Sequence, residues 1–321
     1  VNADGDGAGS EVAVAAWLRA RGAQAWIVNP TPFPDMFRFM VPESSWVLDA
    51  TTPRAQELSA QADVAVVLDT GEASRIGRVK PLIDRRTTVI VDHHPEGDKP
   101  LQGISVRDAG ASATGELVFD LLSASGGPWP RVALDALYVA ILTDTGGFRF
   151  GNSTPGAHRV VAELIERGVD PEAMHGHVYG AKPLRHFRLL RASLATLDFD
   201  EDVGLAWMLV PRQVYDDLGA EPDDLEGLVD YPRSVEGAEV GLLFRQTRQG
   251  DTKVSFRSNG DVDVNEVARR FDGGGHVKAS GALIRGLPEE VVPRVLDATR
   301  QAVRRGAVRR VEEPGGGEGR T

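Results

Sequence analysis

Thr87-Thr88-Val89-Ile90-Val91-Asp92-His93-His94 is the stretch that decides the fold. Five β-branched residues run without interruption and then end on a carboxylate and two imidazoles. A second run, Val64-Ala65-Val66-Val67-Leu68, ends in the same way on Asp69-Thr70. Continuous apolar runs of this length read as strands buried on both faces, as in a parallel sheet. Residues 25–28 read as another strand and residues 104–106 as a weaker one. Helical patterns at 10–21, 52–62, 112–123, 131–142, 155–167 and 171–179 separate or follow them. Alternation of this kind predicts an α/β fold whose N-terminal domain is a parallel sheet with helices on both faces. In such sheets ligands bind at the C-terminal ends of the strands, where Asp69, Asp92, His93 and His94 fall.

The second half changes character. Residues 181–197 read as a basic helical connector. Residues 203–210, 238–246, 252–258 and 279–285 alternate as strands with one covered face. Residues 262–271 and 288–305 read as helices. The expected organisation is a domain over 1–180, a linker over 181–197, a smaller α/β domain over 198–308 and a disordered tail over 309–321. Length agrees, since 321 residues make about two domains at ~150 residues each.

Composition narrows the function. Apolar residues make up 41% and charged residues 26%, which argues against a disordered or fibrous chain. No apolar run approaches the ~20 residues of a membrane-spanning helix. With no cysteine there is no thiolate nucleophile and no Cys-ligated metal, which fits a reducing cytoplasm. Thirty-six basic against 47 acidic residues leave a net charge of −11. That balance lacks the basic footprint of a protein that clamps long nucleic acid.

Candidate chemistry gathers at element ends. Asp4 and Asp6 lie in a Gly-rich loop expected before the first helix. Asp144 follows an apolar helix in Thr143-Asp144-Thr145-Gly146. Grouped carboxylates repel one another unless a cation sits among them. Oxygen and imidazole ligands without thiolates suit Mn²⁺, Fe²⁺ or Mg²⁺, and a set this rich suggests two ions. Taken singly, each acid has a plainer reading as a turn or helix cap. In the second half, Gly273-Gly274-Gly275-His276 reads as a loop able to bring backbone N–H groups to a phosphate. Arg257 and Ser258 end the strand before it, and a guanidinium there can grip a phosphate. His158 reads as a surface residue. His175 and His177 fall on different helix faces, and His186 reads as part of a solvated basic face.

Together these motifs resemble the DHH phosphoesterase family. Asn2-Ala3-Asp4-Gly5-Asp6, Asp69, Asp92-His93-His94 and Asp144 resemble its four N-terminal motifs. Ser255-Phe256-Arg257-Ser258, the Gly273–His276 stretch, Ala279 and Gly281 resemble its DHHA1 domain. The resemblance implies an active site in the cleft between two domains. It implies two metal ions, Mn²⁺ first with Mg²⁺ or Fe²⁺ as alternatives, one held by Asp4 and Asp69 and the other by Asp6, Asp69, His93 and Asp144. A further histidine ligand and the strand preceding the Gly/Asp loop are expected upstream of Val1. Asp92 and His94 are expected at the catalytic centre, and Arg257, Ser258, Gly274, Gly275 and His276 on the substrate phosphate. The resemblance is nearest to the bifunctional oligoribonuclease and pAp phosphatase group, with short RNA or nucleotides as substrate and a homodimer as the assembly. A cyclic di-AMP phosphodiesterase is the alternative enzyme, and a silent nucleotide sensor the alternative of another class.

Overall fold

A computed structural model describes residues 3–97, 99–180, 182–225 and 227–312. The chain divides into two compact units, Val1–Ala181 and Lys182–Thr321. The first unit runs α1 (Gly5–Ala20), β1 (Ile27–Asn29), β2 (Val47–Asp49), α2 (Pro53–Gln61), β3 (Val64–Leu68), α3 (Lys80–Ile83), β4 (Thr87–Asp92), β5 (Ile104–Arg107), α4 (Thr114–Ala124), α5 (Arg131–Asp144), α6 (Pro155–Glu166) and α7 (Pro171–Tyr179). Its strands form parallel sheets, β1–β2 and β3–β4–β5. Both apolar runs are strands at the expected places, with Asp69 and Asp92 at their C-terminal ends, but β3 is not buried on both faces as expected, since Val64 and Val66 are exposed. Helices α2, α6 and α7 each start with a side-chain cap followed by proline, from Thr52, Thr154 and Asp170.

The Gly/Asp segment corrects an expectation. It is not a loop: α1 begins at Gly5, with Asp4 as its cap and Asp6 inside its first turn. Glycine is the condition for this. A Cβ on Gly9 would stand 2.5 Å from the Ala136 carbonyl oxygen, and one on Gly5 would strike Thr143. Helices α1 and α5 therefore pack backbone to backbone, with Ala8, Ala133, Ala136 and Ala140 buried. This crossing sets the start of α1 beside the end of α5, where Asp144 lies.

The second unit comprises α8 (Leu184–Leu194), β6 (Asp198–Asp200), β7 (Leu205–Val210), α9 (Arg212–Asp217), α10 (Asp230–Arg233), β8 (Val240–Gln246), β9 (Thr252–Ser258), α11 (Val264–Arg269), β10 (Gly274–His276), β11 (Ala279–Ile284) and α12 (Pro288–Glu312). Its sheet has the order β10-β11-β9-β8-β7-β6, antiparallel except for β7–β8. Alternate residues of β8 and β9, such as Leu242, Phe244, Val254 and Phe256, pack with Val264, Val267, Val291 and Val295 of α11 and α12. On the other face, Leu189 and Leu190 of α8 join Met208, Val210 and Leu243. The stretch expected as a linker thus carries a helix that belongs to the core of the second unit. His186, read as solvated, is buried and its Nδ1 lies 2.7 Å from the Asp224 carbonyl oxygen. The Gly273–His276 segment is not a loop, because Gly274–His276 pairs as β10 along β11. Helix α12 runs on to Glu312, past the expected start of the tail; residues 313–321 lie outside the described residues. No helix among the described residues is long and apolar enough to cross a membrane.

The α1–α5 crossing makes a prediction. Gly9→Val forces a branched side chain onto the Ala136 carbonyl and is expected to cost about 1–3 kcal/mol or more. Urea unfolding at fixed pH measures it, and a variant as stable as the parent would refute the contact.

Candidate metal centre

Four elements aim side chains at one place. Helix α1 supplies Asp4 and Asp6, the end of β3 supplies Asp69, the end of β4 supplies His93 and His94, and α5 supplies Asp144. His93 Nε2 lies 3.7 Å from Asp6 Oδ2, 3.7 Å from Asp69 Oδ1 and 3.6 Å from Asp144 Oδ2. These separations are too long for hydrogen bonds. They suit atoms that share a cation, since ligands at about 2.0–2.2 Å from an ion stand roughly 3–4 Å from each other. Two overlapping groups meet this test, Asp6–His93–Asp144 and Asp69–His93–His94, with the ligand atoms of each group within 4.8 Å of one another.

Hydrogen bonds around the group fix its orientation. His93 Nδ1 lies 3.2 Å from the Ala111 carbonyl oxygen, which can only accept, so Nδ1 carries the proton and Nε2 keeps its lone pair. Asp6 is 1% exposed. Its carboxylate accepts the N–H groups of Thr114, at 2.6 Å, and Gly115, at 2.9 Å. These are free donors at the start of α4, where a negative charge is favoured. The Thr114 hydroxyl donates to Asp69 Oδ1 at 2.9 Å. Asp69 itself takes a φ of 61°, the left-handed region that non-glycine residues seldom enter, at the turn leaving β3. Asn152 donates to the Asp144 carbonyl at 3.1 Å and reaches its Oδ2 at 3.4 Å.

Asp92 has a different place. It turns away from the other carboxylates and accepts from the His94 backbone N–H at 3.1 Å and from His94 Nδ1 at 2.9 Å. Arg107, its register partner on β5, approaches Oδ2 at 3.2 Å and also donates to the His94 carbonyl at 2.8 Å. A Cβ on Gly71 would fall 1.9 Å from the Arg107 guanidinium, so glycine there gives the arginine its room. Asp92 therefore orients His94.

Electrostatics separates the two kinds of acid. Burial pushes the Asp6 carboxyl up, His93 and the two amides oppose it, and Asp4 adds to it. Burial and then the charges of Asp6 and Asp4 raise Asp69 well above the usual carboxylate range. Asp144 is pushed up to about 7 by burial, then by Asp6 and Asp4, against His94. Burial also acts on Asp92, but the hydrogen bonds and charge of His94, with Arg107, outweigh it and hold that carboxyl low. Three acids thus resist ionising for want of nearby positive charge, which a divalent ion would supply.

Most residues expected from sequence are brought together here. Asp4 caps α1 through the Gly7 N–H at 3.1 Å and adds its charge to the other three acids. Thr114, Gly115, Ala111, Asn152 and Arg107 were not foreseen. Only the Thr-Gly pair opening a helix hinted at the first two. The second unit holds the remaining candidates. His276, Ala279, Arg257 and Gly241 lie opposite one another across β10, β11, β9 and β8, so His276 and Arg257 share a sheet face about two strand spacings, ~10 Å, apart. Gly274 and Gly275 stand opposite Gly281 and Ser280, and Gly275 takes a φ of 145°. Ser258 does not join Arg257: the alternation of β9 turns it to the other face, where it is buried and its hydroxyl lies 3.3 Å from the Gly260 carbonyl.

With this geometry established, comparison with known proteins gives consistent matches. Residues 1–141 match the N-terminal domain of the DHH family, and residues 208–305 match the DHHA1 domain. The chain is 35% identical to the bifunctional oligoribonuclease and PAP phosphatase NrnA of Thermus thermophilus, over 95% of this chain and 89% of that protein. It is 26% identical to the protein of the same name from Bacillus subtilis, over 79% and 80% respectively. A solved structure of an exopolyphosphatase-related protein from Bacteroides fragilis superposes with a TM-score of 0.86 at 26% identity, covering 95% of this chain and 89% of that one.

Two predictions follow from the carboxylates. Between about pH 4 and 7 a raised acid such as Asp144 keeps its proton in the folded chain but loses it in the unfolded chain. The folded state is then favoured at the acid end and loses stability as pH rises through that window. In EDTA, the parent is expected to fall relative to Asp144→Asn by a few kcal/mol in order of magnitude between these limits. Urea titrations at stepped pH test this, and a constant difference would contradict it. Thr114→Val removes the donor to Asp69 at constant shape and should weaken Mn²⁺ binding ~10–100-fold by calorimetry.

Proposed function

The chain belongs to the DHH family, and from that premise we propose that it is a metal-dependent hydrolase of phosphate esters acting on short oligoribonucleotides and on pAp. The observation that carries this reading is the meeting of His93 Nε2 with Asp6, Asp69 and Asp144 at 3.6–3.7 Å. The similarity to the NrnA proteins, which spans nearly the whole chain, gives it its substrate class.

Asp6, His93 and Asp144 would hold one divalent ion, Asp4 would hold a second, and Asp69 would bridge the two. The donor set suits Mn²⁺, Fe²⁺ or Mg²⁺, and the family resemblance puts manganese first among them. Such ions activate water and neutralise a phosphoryl group under attack.

The remaining work falls to side chains of this chain. The Ala111 carbonyl keeps the His93 lone pair on Nε2. Asp92 and Arg107 hold His94 in place, with its ring 4.5 Å from that of His93. Asp92 takes the His94 Nδ1–H, and Nε2 is the ring atom this reading assigns to the reacting phosphate. The amides of Thr114 and Gly115 keep Asp6 turned inward. In the second unit, Arg257 and His276 grip the terminal phosphate of the substrate from one sheet face. Its strand neighbours Ala279 and Gly241 are small, which leaves room for a phosphate beside its guanidinium. An acidic protein that recognises its substrate through ions and a few cations favours short anions over long ones.

The deciding experiment is hydrolysis in Mn²⁺ of a matched set: pAp, pApA, cyclic di-AMP, a longer RNA and pyrophosphate. Rapid turnover of pApA and pAp with the long RNA spared supports the reading, whereas preferential opening of cyclic di-AMP would replace it with second-messenger turnover. Asp69→Ala is expected to lose at least ~10²-fold in kcat/KM, more than loss of a ligand's supporting hydrogen bond costs. Arg257→Ala and His276→Ala should raise KM more than they lower kcat. Unchanged kinetics in both would remove the phosphate grip.

A further inference from the structure

The sheet face that carries Arg257 continues along β9 with a feature that this grip does not use. Alternation puts Arg257, Ser255 and Lys253 on one face, away from the core formed with α11 and α12. Lys253 lies directly opposite Arg245 of β8 and, on its other side, opposite Leu283 of β11. Two cations facing each other across a ladder are destabilising by themselves. Among the described residues no carboxylate forms a salt bridge with either one. Arg245 is instead steadied by Tyr215, with its guanidinium 5.4 Å from the ring centroid and 3.5 Å from the hydroxyl. Lys253 is exposed, and Leu283 beside it is 60% exposed. A like-charge pair whose lysine is exposed, next to an exposed leucine at the end of the sheet beyond the packed Leu243, is a local cost that an anionic ligand with some apolar surface would offset.

Spacing identifies that ligand. Lys253 stands four residues from Arg257, or ~13 Å along the strand. A nucleotide's six backbone bonds span at most ~7 Å, twice the reach of a three-bond amino-acid residue. One face of β9 advances by about the same ~7 Å every two residues. Arg257 and Lys253 are therefore two nucleotide repeats apart along the strand backbone.

Resting on the activity proposed above, we propose that Lys253 and Arg245 bind a backbone phosphate of single-stranded oligoribonucleotides two repeats beyond the phosphate gripped by Arg257. The pair is a length-dependent subsite: it serves substrates of three nucleotides or more and leaves pAp and dinucleotides untouched. Leu283 supplies apolar surface for the sugar or base between the phosphates.

The test is steady-state hydrolysis of 5′-phosphorylated di-, tri- and tetranucleotides by the Mn²⁺-loaded full chain. Lys253→Ala is expected to lower kcat/KM for the tri- and tetranucleotide ~10-fold while leaving the dinucleotide within twofold, and Lys253→Arg should restore the parent values. The salt dependence of tetranucleotide binding should lose about 0.7 from its log–log slope, the value for one single-strand phosphate contact. Melting temperature separates binding from structure, since Lys253→Ala relieves a like-charge pair and should melt no lower than the parent. Fluorescence anisotropy of a labelled tetranucleotide in EDTA reads the subsite without turnover. Parent binding that Lys253→Ala weakens supports the subsite even if the panel shows no hydrolysis, so failure of the activity and failure of the subsite are distinguishable. Equal losses on di- and tetranucleotide, or tetranucleotide binding unchanged in Lys253→Ala, would overturn it.

Discussion

Mutual repulsion of carboxylates held at close quarters is the constraint on which the first unit is built. Asp6, Asp69 and Asp144 are brought within reach of one imidazole nitrogen, and each is made harder to ionise by burial and by its neighbours. A fold relieves such strain by protonation, by dispersal of the acids or by binding cations. This unit prevents dispersal. Backbone contact between α1 and α5 through Gly9 leaves Asp6 and Asp144 no freedom to separate. The opening amides of α4 and the Thr114 hydroxyl hold Asp6 and Asp69 from the third side. What remains is protonation or cation binding, and the supporting hydrogen bonds are those that prepare ligands for a cation.

The two kinds of acid show how local surroundings set roles. Asp92 sits one residue from His93, yet its carboxyl is held low by His94 and Arg107 and serves as an orienting anchor. Asp69, at the equivalent end of the neighbouring strand, is held high and points toward the imidazoles. Both positions are strand ends of one parallel ladder. The difference comes from a guanidinium that β5 delivers opposite Asp92, and Gly71 makes space for it.

In the second unit the same economy of charge appears with opposite sign. One face of β9 is apolar and carries the core, while the other presents Arg257, Ser255 and Lys253 at regular steps. The period of two in a strand thereby separates two roles: Phe256 and Val254 pack, and their neighbours face away from that core. Ser258 belongs to the packed side for the same reason, although it adjoins Arg257 in sequence.

Much of this was determined by local sequence. The β-branched runs fixed the parallel strands and the positions of Asp69, Asp92, His93 and His94 at their ends, because strand propensity and termination are short-range effects. The motifs fixed the family. Tertiary structure alone decided the rest. Asp4-Gly5-Asp6 has a loop's composition, but close packing against α5 makes it the start of a helix. Gly273–His276 also has a loop's composition, but pairing with β11 makes it a strand. His186 looks solvated among basic residues, yet it is buried against the Asp224 carbonyl. Thr114, Asn152 and Arg107 were hardly legible, since each acts through a partner on another element, 45 residues away for Thr114 and 8 for Asn152. Ladder register, which local propensity does not encode, set Lys253 against Arg245 and His276 in line with Arg257.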